Sequence, residues 1–205
     1  QKLLSESEQY WLKGLVFYDA GARSFYTKDR PVNHPDDLKD LKIRVMESVT
    51  AMNMVRSLGG SPTPIAWGEL YTALQQGIVD GAENNPPSFY LSHHYEVCKY
   101  YIIDEHTMLP DVLIMSTIVW ESLSKEEKGW LMDAARESVS YQRNLWNEAE
   151  AHALEEVQKA GVEIIYPEKD PFRAQVRQLI DEYKQDPSVK NFIEQISAYS
   201  DEEEN

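Results

Sequence analysis

Two arginines carry the chemistry that most needs an explanation. Arg44 lies in the apolar run Leu41-Lys42-Ile43-Arg44-Val45, and Arg23 follows the run Leu15–Tyr18 after a small-residue turn, Asp19-Ala20-Gly21-Ala22. A guanidinium at the end of a buried strand costs several kcal/mol, roughly, unless an acceptor meets it. Its planar fork meets a carboxylate with two parallel bonds. The aromatic Trp67 and the amides of Asn84 and Asn85 fall in the same stretch as Arg44. Two readings stand side by side. With 35 Asp and Glu in the chain, each arginine could close an internal ion pair, Trp67 could be core packing, and Asn84-Asn85 before Pro86-Pro87 could be turn chemistry. Alternatively, two strand-end arginines near amides and an aromatic make a site for a ligand carboxylate.

Other chemistry is poorly supported. The histidines are His34, His93, His94, His106 and His152, and no pair has the spacing that sets two imidazoles on one helical face. His93 and His94 should diverge, and surface or capping roles are expected for most of the five. Gly59-Gly60 does not extend to a dinucleotide fingerprint, and no G-x-S-x-G occurs. The single cysteine, Cys98, excludes an intrachain disulfide and a multi-cysteine metal site, and suits a small apolar filler. Neither a cofactor nor a metal is expected.

The bulk composition narrows the class further. A formal charge of −15 on 205 residues disfavours a nucleic-acid partner, whose phosphates most of this surface would repel. Hydrophobic content of 42% with 11% aromatics is enough for a packed core. No run of ~18 apolar residues occurs, so no membrane-spanning helix is expected. The first residues lack the basic-then-apolar profile of a signal peptide.

The elements that must hold these residues alternate between strand and helix, which predicts an α/β fold. A short helix is expected over residues 2–13 with Gly14 as its stop, then strands at Leu15–Tyr18 and Ser24–Thr27. Leu41–Val45 is a strand and Val49–Leu58 a helix stopped by Gly59. Pro62 and Pro64 force an extended segment, Trp67 opens a helix to Gln76, and Gly77–Gly81 is a strand-sized insert. Ser88–Glu96 is a candidate helix. Lys99–Asp104 and Val112–Trp120 are predicted strands, the second apolar enough to suggest burial on both faces. Ser124 to Ala160 is the longest helical pattern, opened by a capping box, Ser124 with Glu127. A strand at Val162–Tyr166 and helices from Pro171 and Pro187 complete the chain, with a solvated acidic tail from Asp201.

The segments DLKDLKIRVMES, GGSPTPIAWGELYTALQQGIVDGAENN and HHYEVCKYY, with the capped helix after SLSKEEK, resemble the extracytoplasmic solute-binding proteins of tripartite ATP-independent periplasmic (TRAP) transporters, the DctP type. The resemblance covers nearly the whole chain from about Gly14 to Tyr183. It implies a periplasmic-binding-protein-like fold: two α/β domains joined by crossing strands and a long helix, with ligand enclosed between them. It further implies that Arg44 is the ligand-carboxylate arginine, Arg23 a second arginine, Asn84 an amide contact and Trp67 the aromatic against the ligand. Glu47 and His106 fall where the family reads other polar groups of the ligand.

Two departures stand out. Asp40 replaces the usual glycine of D-L-K-G-L-K. Family members also run to about 300 residues, as two domains of ordinary size require, so the first domain is expected to be incomplete. Residues 1–20 and 110–149 would be its remnant, and residues 21–109 and 150–205 the second domain. Either the chain is a fragment, or it pairs with a second copy as a homodimer to cover exposed strand edges.

YDAGARSFYT, ENNPPSFY and DEHTMLPDV resemble the subgroup associated with sugar acids such as hexuronates. The expected function is therefore a periplasmic, non-catalytic binding component that passes an organic acid to the membrane subunits of a TRAP transporter. The alternative is an enzyme or sensor domain acting on a small organic acid, with His106 and Glu83 or Glu105 as acid–base groups.

Overall fold

The computed structural model describes residues 2–203; the side chains of the acidic tail lie outside the described set. The chain forms two compact units. The first comprises Gln1–Ser24, Asn84–Tyr95 and Glu105–Val162, and the second Phe25–Glu83, Glu96–Asp104 and Glu163–Asn205. The first unit contains the expected first-domain remnant, residues 1–20 and 110–149, together with residues 21–24, 84–95, 105–109 and 150–162.

In chain order the elements begin with α1 (Lys2–Glu6), a 3-10 turn and β1 (Leu12–Tyr18), then β2 (Ala22–Thr27) and β3 (Lys42–Val45). Next come α2 (Val49–Ser57), β4 (Ser61–Pro64), α3 (Leu70–Gln76), β5 (Gly81–Asn84) and α4 (Pro86–Leu91). The chain continues through β6 (Tyr100–Met108), β7 (Asp111–Ser116), α5 (Thr117–Ser122) and α6 (Lys125–Lys159). It ends with β8 (Glu163–Ile165), α7 (Lys169–Tyr183) and α8 (Pro187–Glu203). The α/β class and the long helix are as expected. The chain passes from one unit to the other within β2 and β5, between Tyr95 and Glu96, within β6, and again after Val162.

A six-stranded sheet has the order β4-β3-β5-β2-β6-β8, in which β3 runs parallel to both β4 and β5 and β6 runs parallel to β8. Its β3–β4 pair explains the tolerance of Pro62 and Pro64: β4 is the edge strand, where missing donors cost little. In the second unit Ile43, Val45, Val55, Leu58, Phe25 and Ile102 are all buried with Phe172 of α7 in one core. Each such side chain contributes about 1.5–3 kcal/mol by leaving water. Gly59 follows α2 at φ +93°, the left-handed stop that only glycine adopts without strain. Asp40, where the resemblance places glycine, also has a positive φ of 67°.

The first unit is built on a two-stranded antiparallel sheet, β1 with β7. Leu15 and Val16 pack with Leu113, Met115, Leu131 and Val139, the last two from α6. The capping box of α6 forms as read: Ser124 Oγ accepts from the Glu127 N–H at 3.2 Å, and the Glu127 carboxylate accepts from the Ser124 N–H at 2.8 Å.

Four local expectations are corrected. Gly14 does not stop a helix: it lies inside β1 at a register shift, and a Cβ there would sit 2.8 Å from the Leu4 carbonyl oxygen. The chain turns instead at Trp11, which has a φ of 63°. The strand expected at Gly77–Gly81 forms later, at Gly81–Asn84, because residues 77–80 turn after α3. The helix expected at Ser88–Glu96 starts earlier and ends at Leu91, since Asn85 caps it and Pro86 needs no N–H partner in the first turn. The predicted strand Val112–Trp120 splits into β7 and α5, and β7 is covered on one face only. Val112 and Ile114 are 39% and 47% exposed, while Leu113 and Met115 pack inward.

Candidate functional site

Arg44 is 3% exposed, between β4 and β5 in the sheet, with Thr63 and Ala82 as its register partners. Both edges of β3 are occupied, so its backbone is paired on either side of this residue. Its Nε donates to the Ile65 carbonyl at 2.8 Å, and the guanidinium carbon lies 5.5 Å from the centre of the Trp67 ring. One end of the fork is thus braced by backbone, and the cation rests beside an aromatic face. Trp67 follows β4, and Glu47 follows β3 on an exposed loop before the Ser48 cap of α2. Because β3 and β4 are parallel, both residues leave the sheet at the same, carboxyl edge, where open α/β sheets bind ligands. Trp67 is 43% exposed, which a purely core role does not explain.

In the first unit Arg23 donates from Nη1 to Asn84 Oδ1 at 2.9 Å. The same amide oxygen accepts from the Asn85 N–H at 2.9 Å. Asn84 is buried and Arg23 half-buried. Asn85 is a residue whose role the sequence reading missed. Its Oδ1 accepts from the Ser88 N–H at 2.9 Å, and its Nδ2 donates to the Ala20 carbonyl at 3.0 Å. An asparagine directly before Pro-Pro is a helix-start signal that could have revealed the first of these bonds. His106 is half-buried in β6, directly after Glu105, which has a φ of 50°. Such backbone strain is held only where the surroundings over-determine it.

The structure therefore joins Arg44 to Trp67 in one unit and Arg23 to Asn84 in the other. Glu47 lies on the exposed loop after β3, and His106 lies in β6. His93 is exposed and His94 buried, so the adjacent rings do diverge, and His94 departs from the expected surface role. Cys98 is buried, and that burial pushes its thiol up to about 12, which leaves no thiolate for nucleophilic chemistry near neutral pH. Tyr26 is likewise raised, first by burial and then by the nearby Cys98 and Glu83, with Arg44 opposing. Among the described residues no group of His, Cys, Asp and Glu has a metal-holding arrangement, and no helix is long and apolar enough to cross a membrane.

The chain is thus a mixed α/β structure in which a buried arginine, braced at Nε, lies beside a half-exposed tryptophan. Residues 1–186 match the DctP model, described as bacterial extracellular solute-binding protein, family 7, and the chain belongs to that family. It is 38% identical over 184 residues to a solute-binding protein of Chromohalobacter salexigens, an alignment covering 89% of this chain and 55% of that protein. A TRAP periplasmic solute-binding protein of Xanthobacter autotrophicus, solved with bound β-D-galacturonate, is 44% identical with a TM-score of 0.89, over 96% of this chain and 66% of that one. Another from Chromohalobacter salexigens, with bound D-glucuronate, is 36% identical with a TM-score of 0.92, over 95% of this chain and 65% of that one. The chain thus spans little more than half the length of its first curated relative.

Proposed function

We propose that this chain is part of the non-catalytic, periplasmic solute-binding component of a TRAP-type transporter, and that its ligand is a hexuronate. The observation that carries the reading is the Arg44–Trp67 arrangement. A guanidinium with Nε held by the Ile65 carbonyl is oriented before any ligand arrives, and an adjacent aromatic suits a pyranose face. In this reading Arg44 receives the carboxylate, Trp67 packs on the sugar ring, and Glu47 bonds hydroxyls. Arg23, Asn84 and His106 are assigned as further ligand contacts. Similar solved proteins with bound galacturonate and glucuronate support the ligand class. Membrane subunits of the transporter are the proposed recipients of the ligand.

A second copy of the chain is the proposed cover for Val112 and Ile114. Sedimentation as a monomer at working concentrations would count against that homodimer.

Calorimetric titration with D-galacturonate and D-glucuronate tests the ligand reading. Binding should be saturable, and Arg44→Ala should weaken it by about 30-fold or more, as loss of a buried charge partner does. Equal affinity in that variant removes Arg44 from the site, and no heat with either sugar acid removes the ligand class.

A further inference from the structure

One face of α6 carries four residues spaced four apart: Ser138 meets Tyr18 at the end of β1, and Gln142, Trp146 and Glu150 meet the linker from there to β2. Residues at this spacing lie one above another along a helix. Ser138 Oγ donates to the Ala135 carbonyl at 2.7 Å, so its 2.8 Å contact with Tyr18 is accepted from the phenol. Gln142 holds Asp19 by both backbone groups: its Oε1 accepts from the Asp19 N–H at 3.0 Å, and its Nε2 donates to the Asp19 carbonyl at 2.7 Å. Trp146 and Glu150 close over Gly21. A Cβ on that glycine, which has a φ of +66°, would sit 2.1 Å from Glu150 Oε1 and 2.8 Å from Trp146 Nε1. On its other side the linker is tied by Asn85 to the Ala20 carbonyl, and the Asp19 carboxylate accepts from the Gly21 N–H at 3.0 Å. Two residues further on, Arg23 meets Asn84.

We propose that this four-residue face of α6 sets the position of the Tyr18–Gly21 segment, and with it the Arg23–Asn84 pair. Gln142, Trp146 and Glu150 are therefore positioning residues for ligand binding. The ligand part of the proposal rests on the assignment of Arg23 and Asn84 as ligand contacts. The two-point amide grip holds the peptide planes on both sides of Asp19, and so the direction in which the chain leaves β1 toward β2. The Glu150 carboxyl is held above its ordinary pKa, chiefly by burial, with Asp19 and Glu105 adding repulsion and the Trp146 indole opposing.

The test has an arm that needs no ligand. Side-chain nitrogen spectra of the whole chain report the Arg23 Nε–H and Asn84 amide resonances. Gln142→Leu, which removes both bonds to Asp19, should move them. Ser140→Ala, on an exposed part of α6, should not. Gly21→Ala should produce a larger displacement, and Glu150→Gln covers the case in which that variant fails to fold. In the second arm Gln142→Leu should weaken D-galacturonate binding by about tenfold or more, as outer-shell losses do.

Unmoved Arg23 and Asn84 resonances in both Gln142→Leu and Glu150→Gln overturn the positioning role. Moved resonances with unchanged affinity overturn its link to the ligand. If the unmodified chain binds no hexuronate, the proposed function fails by itself, and the resonances alone decide whether the helix positions the pair.

Discussion

β3 of the second unit and β7 of the first have similar apolar character and opposite fates. β3 has neighbours on both edges, and its Ile43 and Val45 are completely buried. β7 pairs with β1 alone; its Leu113 and Met115 pack inward and its Val112 and Ile114 face out. An apolar strand reports a demand for burial; the number of surfaces that meet it depends on which chain segments are there to supply them. The same contrast explains the two arginines. Arg44 stands in the fully enclosed strand and is braced by backbone. Arg23 stands near the linker and is held by side chains.

The comparison can be broken most directly with one substitution in each strand. Ile43→Ala should lower unfolding stability by about 2–5 kcal/mol through transfer and cavity losses. Ile114→Ala should cost under about 1 kcal/mol, because its partly exposed side chain leaves no closed cavity. Chemical denaturation of both variants reads the difference, and equal losses would mean that β7 is covered in solution.

Two glycines sharpen the contrast at smaller scale. Gly81 starts β5 in the enclosed sheet, and a Cβ there would lie 2.4 Å from the Tyr26 carbonyl oxygen. Gly81→Ala should destabilise by about 1–3 kcal/mol, as overpacking against backbone does. Gly129 in α6 has nothing within 4 Å of such a Cβ. Gly129→Ala should raise the melting temperature, with a gain of about 0.5–1 kcal/mol from helix propensity.

An effect of similar size concerns the start of α6. Ser124→Ala should cost about 1 kcal/mol, the ordinary worth of an N-cap. The Glu127 carboxyl is lowered from its ordinary 4.5, first by the Ser124 N–H and then by its hydroxyl. A lowered folded pKa means that the ionised box stabilises above the ordinary value and loses its contribution as pH falls through the folded one. Helical signal during acid titration of the wild type should show that loss, and Glu127→Gln should flatten it.

Much of the candidate site was legible before any coordinates. Arg44 stood out because a permanent charge interrupts an apolar run, and the family resemblance pointed to Arg23, Trp67 and Asn84. The tertiary bonds of Asn85 and Gln142 were not legible. Their partners, the Ala20 carbonyl and the Asp19 backbone, lie 65 and 123 positions away in the chain, and no local pattern encodes such a pairing.

Segment by segment, local physics governs what the sequence alone determines here. Glycine after α2, proline in an edge strand, the Ser124 capping box and the amphipathic run of α7 each act within a few residues, so type and order of element follow from them. Tertiary structure decided the rest. It placed the β5 strand after the turn rather than on it, ended β7 at Ser116, left one face of β7 uncovered, and brought one face of α6 onto the linker before Arg23. Each outcome depends on which distant segments compete for the same surface, and that competition is resolved only when the chain is packed.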